Sequence, residues 1–455
     1  MKVVVAGCGK IGLTIVESLI KEKHDILCID KNQEVINDII NAYDVMTICG
    51  NVISYDVLKE AGMEKTELFI AVTDSDESNI LSCFTAKKLG AKQTVARIRN
   101  SEYTAESLGF IKESLGISMS INPEKLTAEA IYNLLKLPSA IKVETFTNRS
   151  FEIVELIVKK GSKINGLTLM ELRKKVSENF LITVLQRDEE VFIPKGNTQI
   201  LEGDKICVVA SIEDMHKVLI SLGFLQKESK DVIILGGSKI ARYLTKMLAK
   251  GHTSVKIIEK NKARCEELCE SLPSSVDVIC GDAMSQDILL EEGISTTDAM
   301  VALTGGDEEN ILISVYANSQ NVPKVISKIN TNALSEIAEN LGLDCIVSPR
   351  RIIADILVRY ARALNETVGS KVETLYKLMD GGAEALEFVV MDDFEFANIP
   401  LKEMKIKKDV LIAGIIRGKK AFTPSGDDVI MSGDKVVVIC KGESIYSLTE
   451  IVEGK

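Results

Sequence analysis

The sequence predicts an α/β chain: two Rossmann-like, doubly wound parallel-sheet domains, each followed by a small α+β domain. Three observations predict it. Almost the whole of the 455 residues is written twice, with Gly7 and Gly236 opening the copies 229 positions apart and an offset that drifts by only one or two residues downstream. Each copy opens with a glycine-rich string set between a branched apolar run and a helical pattern. Near the middle of each copy, near-continuous apolar runs give way to period-two alternation, so the duplication resolves into four modules at 1–122, 143–226, 230–348 and 370–455.

The elements follow in order. Residues 3–6, 26–29, 45–48, 68–72 and 95–98 are short apolar runs rich in branched side chains, as expected of parallel strands covered on both faces. Between them, 11–23 and 79–89 carry apolar residues at three-to-four spacing and read as helices. Asp74 with Glu77 resembles a capping box for the second of these. Asn122-Pro123 and Ser348-Pro349 close the two α/β units, and 127–137 and 352–364 read as linking helices. Beyond them, 151–158 and 206–209 alternate at period two, with 387–390 and 436–439 as second-copy counterparts. The turn signals Glu202-Gly203-Asp204 and Ser432-Gly433-Asp434 precede the last strand of each copy.

Composition narrows the function. The hydrophobic fraction of 46% suffices for several cores, yet no run approaches the roughly 18 apolar residues of a membrane helix. Met1-Lys2-Val3-Val4 enters a strand pattern directly, so no signal peptide is expected. A net charge of −11 without a dense Lys/Arg run argues against nucleic acid as a partner. Ten cysteines without C-x-x-C pairs read as reduced, mostly buried thiols, and Cys265 with Cys269 is the closest pair. Of the three histidines, His24 and His252 sit just before strands in what reads as a shared turn habit.

The chemistry lies in the opening strings. Gly7-Cys8-Gly9-Lys10-Ile11-Gly12 follows a strand and opens a helix, the context that turns a weak G-x-G-x-x-G match into a strong one. Gly7 permits the tight turn, Gly9 lets backbone approach a pyrophosphate, and Gly12 allows close helix–strand packing. The helix N-terminus then faces the phosphates. Asp30, 18 residues beyond Gly12, stands where a carboxylate binds a ribose 2′-hydroxyl and repels a 2′-phosphate, favouring NAD(H). The second copy reads Gly236-Gly237-Ser238-Lys239-Ile240-Ala241 and keeps an acid at Glu259. Alanine is tolerated at the third place, but Ser238 puts a Cβ where backbone should approach phosphate, and a positive φ there would disfavour it. That site either binds no nucleotide, or binds one more weakly or of another kind. Thr73 and Asp74, with Thr304 and Gly305 in copy two, end a strand near the expected crevice and serve either a nucleotide or a helix cap. Arg97 and Arg99 offer a phosphate or acid-pairing role against ordinary exposure, and Asn51 and Asp282 an adenine contact against a turn role.

The strand-rich modules carry no histidine apart from His216, no cysteine nucleophile motif and no G-x-S-x-G. A hydride-transfer enzyme needs a positioned acid or base beside its cofactor. An NAD-dependent oxidoreductase is thus the alternative, and a nucleotide sensor without catalysis is the reading favoured.

With Gly7 to Gly12, Asp30 and Ala71-Val72-Thr73-Asp74, and with small modules ending in Gly-Asp-Lys plus an apolar strand, the chain resembles the RCK (KTN) regulatory family. Two N/C pairs in one chain are similar to the cytosolic regulatory subunits of Trk-type potassium uptake systems. The resemblance implies a homo-oligomeric ring of RCK domains beneath a potassium-conducting membrane subunit, hence a cytoplasmic, peripheral location. It implies NAD(H) as ligand, with ATP or ADP in some members. Carried onto matching positions, the first site is Gly7 to Ile11, Asp30, Thr73, Asp74 and Arg97, and the second is Gly236 to Ile240, Glu259 and Thr304. A sensor of the same type serving another transporter is a further alternative.

Overall fold

The structure, a computed structural model, describes residues 1–100, 103–146, 151–224, 228–364, 370–442 and 444–453. Strands β1 (Lys2–Ala6), β2 (Asp25–Asp30), β3 (Met46–Cys49), β4 (Leu68–Ala71), β5 (Gln93–Arg97) and β6 (Met119–Ile121) form one parallel sheet in the order β3-β2-β1-β4-β5-β6. Crossover helices α1 (Lys10–Lys21), α2 (Gln33–Ala42), α3 (Tyr55–Glu60), α4 (Asp76–Lys88) and α5 (Ala105–Leu115) join them. The order reverses between β1 and β4, which opens a crevice at the carboxyl ends of those strands.

After α6 (Pro123–Lys136), strands β7 (Ala140–Thr145), β8 (Phe151–Ile157), β9 (Phe180–Arg187), β10 (Glu190–Phe192) and β11 (Lys205–Ser211) make an antiparallel sheet ordered β10-β9-β11-β8-β7. Helices α7 (Leu169–Lys175) and α8 (Ile212–Leu222) belong to this module.

The plan then repeats. Strands β12 (Asp231–Leu235), β13 (Ser254–Glu259), β14 (Val276–Cys280), β15 (Ala299–Ala302), β16 (Lys324–Lys328) and β17 (Ile346–Val347) form the second parallel sheet, ordered β14-β13-β12-β15-β16-β17. Its helices are α9 (Lys239–Lys250), α10 (Lys262–Ser271), α11 (Gln286–Glu291), α12 (Asp307–Ser319) and α13 (Asn332–Asn340). After α14 (Pro349–Ala363), strands β18 (Ser370–Leu378), β19 (Ala383–Val390), β20 (Val410–Arg417), β21 (Lys420–Phe422) and β22 (Lys435–Cys440) build the second antiparallel sheet, ordered β18-β19-β22-β20-β21.

The two copies are interlocked. Ala128, Ile131 and Leu134 of α6 join the core of the second parallel domain, with Val232, Ile240 and Leu244. Ile353, Leu357 and Ala361 of α14 return the exchange, packing with Val3, Ile15 and Leu19 of the first. The antiparallel sheets meet face to face through Phe146, Ile153 and Val209 on one side and Tyr376, Leu378 and Ile439 on the other. This dry contact also holds charge: Glu155, 5% exposed, accepts a 3.1 Å bond from the Met379 N–H.

Several local readings need correction. Ser75, not Asp74, caps α4, its hydroxyl accepting from the Ser78 N–H at 3.1 Å while donating to Glu77 at 2.8 Å. Both linking helices begin at their prolines, because Asn122 and Ser348 are N-caps and Pro at the first helical position loses no intrahelical bond. His252 shares its place with Lys23, not with His24; both are left-handed, at φ 59. The Gly-Asp turn signals prove to be ion pairs. Buried Asp204 holds Arg187 through two 2.8 Å bonds, and Asp434 holds Arg417 at 2.9 and 2.7 Å.

Candidate functional site

The first site is built where β1 runs into α1. Gly7 takes φ +91, a left-handed value that favours glycine, and a Cβ there would stand 2.7 Å from the Thr73 nitrogen. The turn is therefore pressed against the end of β4, which brings the glycines and Thr73 together. A Cβ on Gly12 would lie 2.0 Å from the Gly7 carbonyl oxygen, so α1 packs down onto the turn it leaves. Gly9 is different. Its φ is −66, and a Cβ would meet nothing within 4 Å, so the space beside it is open to a ligand. Lys10 opens α1 exposed, with Ile11 half-buried behind it.

Asp30 is wired into this turn. One carboxylate oxygen accepts from the Cys8 N–H at 2.7 Å and the other from the Asn32 N–H at 2.9 Å. A carboxylate offers about four lone-pair positions, so capacity remains for ribose hydroxyls. Cys8 contributes only its backbone. Its side chain is fully buried, and the neighbouring Cys28 thiol and then burial raise its own thiol well above the ordinary value.

Thr73 does not cap α4, which Ser75 does, and is held from within the domain. Its N–H and hydroxyl both donate to the Asn79 side-chain oxygen, at 2.8 and 2.7 Å, and Asn79 in turn donates to the Arg97 carbonyl at 2.9 Å. Asn79 is fully buried and ties β4, α4 and β5 at the crevice. The repeated Asn79/Asn310 pair was its only sequence signal. Asp74 is exposed, and its carbonyl accepts from Arg99 at 2.7 Å. Arg99 thus has the pairing role, lying 4.0 Å from Asp76 and from Glu124. Arg97 is half-buried, with Nε lacking a hydrogen-bond partner among the described residues. Burial, and then Arg99, push its guanidinium below the ordinary value. An orphaned guanidinium N–H at a strand end suits an anion. Asn51 makes a turn, accepting from the Ile53 N–H at 3.2 Å, and Asp282 does the same with Met284 at 2.9 Å.

The second site repeats this frame with altered contents. Gly236 has φ +94, and Thr304 binds Asn310 through its N–H at 2.9 Å and its hydroxyl at 2.8 Å. Glu259 accepts from the Gly237 N–H at 2.7 Å and the Asn261 N–H at 2.8 Å, the same two bonds that Asp30 makes. The exchange of residues is compensated. A Cβ at 237 would come 2.6 Å from Leu268 Cδ1 and 3.1 Å from the Glu259 carboxylate, so Leu268 and the longer acid together use the room that Cys8 fills in copy one. Only 7% of Glu259 is exposed.

The expectation that Ser238 would suffer from a positive φ is wrong. Its φ is −69, ordinary extended backbone, and its hydroxyl accepts from the Ala241 N–H at 3.3 Å. Serine here costs the turn nothing; it caps α9 with its own oxygen and so occupies an N–H that Gly9 leaves open. Lys328, at the place of Arg97, donates to the Thr304 carbonyl at 2.5 Å, and burial lowers its ammonium. Lys239 opens α9 exposed, and Ile240 is buried. Arg264 was missed from sequence: a Cβ at Gly237 would lie 3.3 Å from its Cδ, so it borders this loop.

Comparison with known proteins is consistent along the whole chain. The TrkA-N domain family matches residues 3–123 and 232–349, and the TrkA-C domain family matches 153–222 and 385–453. The "Trk system potassium uptake protein TrkA homolog" of Archaeoglobus fulgidus is 33% identical over 452 residues, covering 99% of this chain and 100% of that protein. The "Trk system potassium uptake protein TrkA" of Vibrio alginolyticus is 30% identical, covering 99% and 98%. Among solved structures, "GsuK channel bound to NAD" superposes with a TM-score of 0.63 at 15% identity, over 97% of this chain and 76% of that one. "Crystal Structure of the GsuK RCK domain" gives the same TM-score and identity, over 97% and 92%. At that identity the likeness concerns the fold.

Proposed function

This chain belongs to the TrkA family of Trk-system potassium uptake proteins, and from that premise we propose that it is a nucleotide-responsive regulatory subunit that gates a potassium-conducting membrane partner. NAD(H) is the ligand of the first site. The observation that carries this is the first glycine turn, with Asp30 clamped on the Cys8 N–H and open space beside Gly9. A solved channel of the same fold is described as bound to NAD. Each part of the site contributes to binding. The α1 helix directs its N-terminal N–H groups at a pyrophosphate, Asp30 meets a ribose, and the Arg97 guanidinium balances phosphate charge. Asn51, Thr73 and Asp74 border the same edge. At the second site Gly236 to Ile240, Glu259, Asp282 and Thr304 frame a nucleotide pocket whose acid is withdrawn and whose helix is already capped. That arrangement supports weaker binding, or an adenine nucleotide such as ATP or ADP in place of NAD(H).

Ring assembly has support on the surface. Leu81 of α4 and Phe110 of α5 are 48% and 72% exposed, beside a groove lined by Ile80, Phe84 and Ile111. The matching place in copy two exposes Leu312, Ile337 and Leu341. Apolar faces repeated at equivalent positions suit a second copy of the chain, closing a homo-oligomeric ring. No helix among the described residues is long and apolar enough to cross a membrane, so attachment to the membrane's inner face would run through the partner subunit.

A ligand gates such a ring only through unequal affinity for its two states. The test is calorimetric titration with NAD⁺, NADH, ATP and ADP, separately, on wild type, Asp30→Ala and Glu259→Ala. Loss of a charge-assisted bond of about 1.5–3 kcal/mol predicts NAD binding weakened at least tenfold by Asp30→Ala. Unchanged affinity would falsify the assignment of Asp30.

A further inference from the structure

A cleft of about 440 Å³ lies between the first antiparallel module and the second parallel-sheet domain, away from both nucleotide edges. Its walls are the β8–α7 loop with Lys159, Lys160 and Ser162, the β7 approach with Ser139, and the start of β16 with Lys324. Asp344 closes it from the loop before β17. Lys324 begins its strand, whereas the nucleotide crevice lies at the opposite, carboxyl end of the same sheet.

Lys324 is only 4% exposed. Its ammonium donates to the Ala140 carbonyl and lies against the Cys345 thiol, both neutral partners. Among the described residues no carboxylate comes within the 4.0 Å ion-pair distance of it. The carboxylate nearest in the wall, Asp344, is engaged with Lys159 at 3.7 Å. A buried ammonium without a counter-charge is costly, and natural sites supply one. Among the described residues, three ammonium groups against one carboxylate leave the cleft with two positive charges in excess. No arginine lines it among the described residues, so none of them presents the planar fork that selects a carboxylate; lysines act as point charges and suit a tetrahedral group.

We propose that this cleft binds a small phosphate-bearing dianion, either inorganic phosphate or a phosphate monoester, held by Lys324, Lys159 and Lys160. A monoester carries close to two negative charges at neutral pH, which matches the excess. Bound there, it fastens the first antiparallel module to the second parallel domain and stands as an effector site separate from the nucleotides. Copy one differs at the residue that matters most. The equivalent strand start in copy one is Gln93, whose side-chain oxygen accepts from the Tyr360 hydroxyl at 3.2 Å.

The copy-one residue also supplies the test, since Lys324→Gln is a substitution that the same strand position already accommodates. The full chain is titrated calorimetrically at low ionic strength with sodium phosphate and, separately, with glycerol phosphate. One site per chain is expected, retained when Asp30→Ala and Glu259→Ala are combined and weakened at least tenfold by Lys324→Gln. NAD titration of Lys324→Gln should match wild type, so the two readings stand or fall separately. Tighter binding of glycerol phosphate identifies an organic ligand, and tighter binding of sodium phosphate the free ion. The exposed variant Lys160→Gln, expected to weaken binding severalfold, carries the test if Lys324→Gln does not fold. Absence of saturable binding to wild type, wild-type affinity in both lysine variants, or loss of binding in the Asp30/Glu259 variant each overturns the proposal.

Discussion

Replacing Gly12 with alanine adds one methyl group at the point where α1 leaves its turn. That carbon would stand 2.0 Å from the Gly7 carbonyl oxygen, against an ordinary carbon–oxygen contact of about 3.3 Å. The obstacle is backbone, and Gly7 cannot retreat, because its own Cβ position already lies 2.7 Å from the Thr73 nitrogen. The helix must therefore withdraw by about 1.3 Å, carrying with it the N–H groups assigned to the phosphates in the proposed site. Overpacking of this kind costs about 1–3 kcal/mol. If bound NAD presses α1 back into place, most of that cost appears in binding, a ten- to hundredfold loss of affinity. Calorimetry with NAD⁺ measures it, and circular dichroism shows that the variant is folded. A folded Gly12→Ala protein that binds NAD as wild type does would refute the close-packing argument.

Removing the self-cap of the second site should act in the opposite direction. Ser238→Gly frees the Ala241 N–H at a helix cost of only a few tenths of a kcal/mol, so nucleotide affinity in an Asp30→Ala background should rise severalfold; a fall would show that the serine hydroxyl helps to hold the ligand. Between the antiparallel sheets, burial first of all holds the Glu155 carboxyl above its ordinary value of 4.5, with Lys142 opposing. A raised acid contributes stability that is full below that value and lost as pH climbs through its folded value, so wild type should lose stability relative to Glu155→Gln from about pH 4.5 upward; denaturation at stepped pH should show that widening, and a constant difference would count against it. Phe110→Asp places a charge on a side chain that is 72% exposed, and light scattering should report smaller assemblies with unchanged secondary structure; an unaltered assembly size would move the ring contact elsewhere.

The repeat, the parallel sheets and the glycine turns were legible because each rests on a local rule. A branched run, a glycine at positive φ and an acid at the next strand end leave their mark on neighbouring residues alone. Thr73 was legible as a position but not as a role. Whether its hydroxyl faced a ligand or a neighbour depended on Asn79, which lies on the next helix and reads as an ordinary first-turn residue. Ser238 was misjudged for a related reason: the glycine at that place in copy one is never left-handed, so the backbone penalty did not exist. The strands β6 and β17 escaped notice because Met119–Ile121 and Ile346–Val347 are too short to show a period. The exchange of α6 and α14 between copies was beyond sequence, since an apolar stripe does not name its partner.

That exchange is not symmetric in its chemistry, and the difference bears on how a nucleotide could move the chain. Arg362 of α14 is fully buried, bonded to Glu22 at 2.6 and 2.8 Å and to Glu384 at 2.8 and 2.9 Å. Glu22 is the C-cap of α1, whose other end receives the phosphates of the proposed site; Glu384 lies on β19. The corresponding residue of α6 is Lys136, exposed, stacked over Tyr132 at 4.5 Å and in no ion pair among the described residues. Breaking a buried ion pair costs about 3–5 kcal/mol, whereas a typical allosteric coupling is about 1–3 kcal/mol. The weaker term cannot open the stronger contact. A nucleotide that shifts α1 must therefore carry α14 and the second antiparallel module with it as one body. The motion has to be absorbed at the seat of α6 on the second parallel domain, where no ion pair among the described residues crosses between the two.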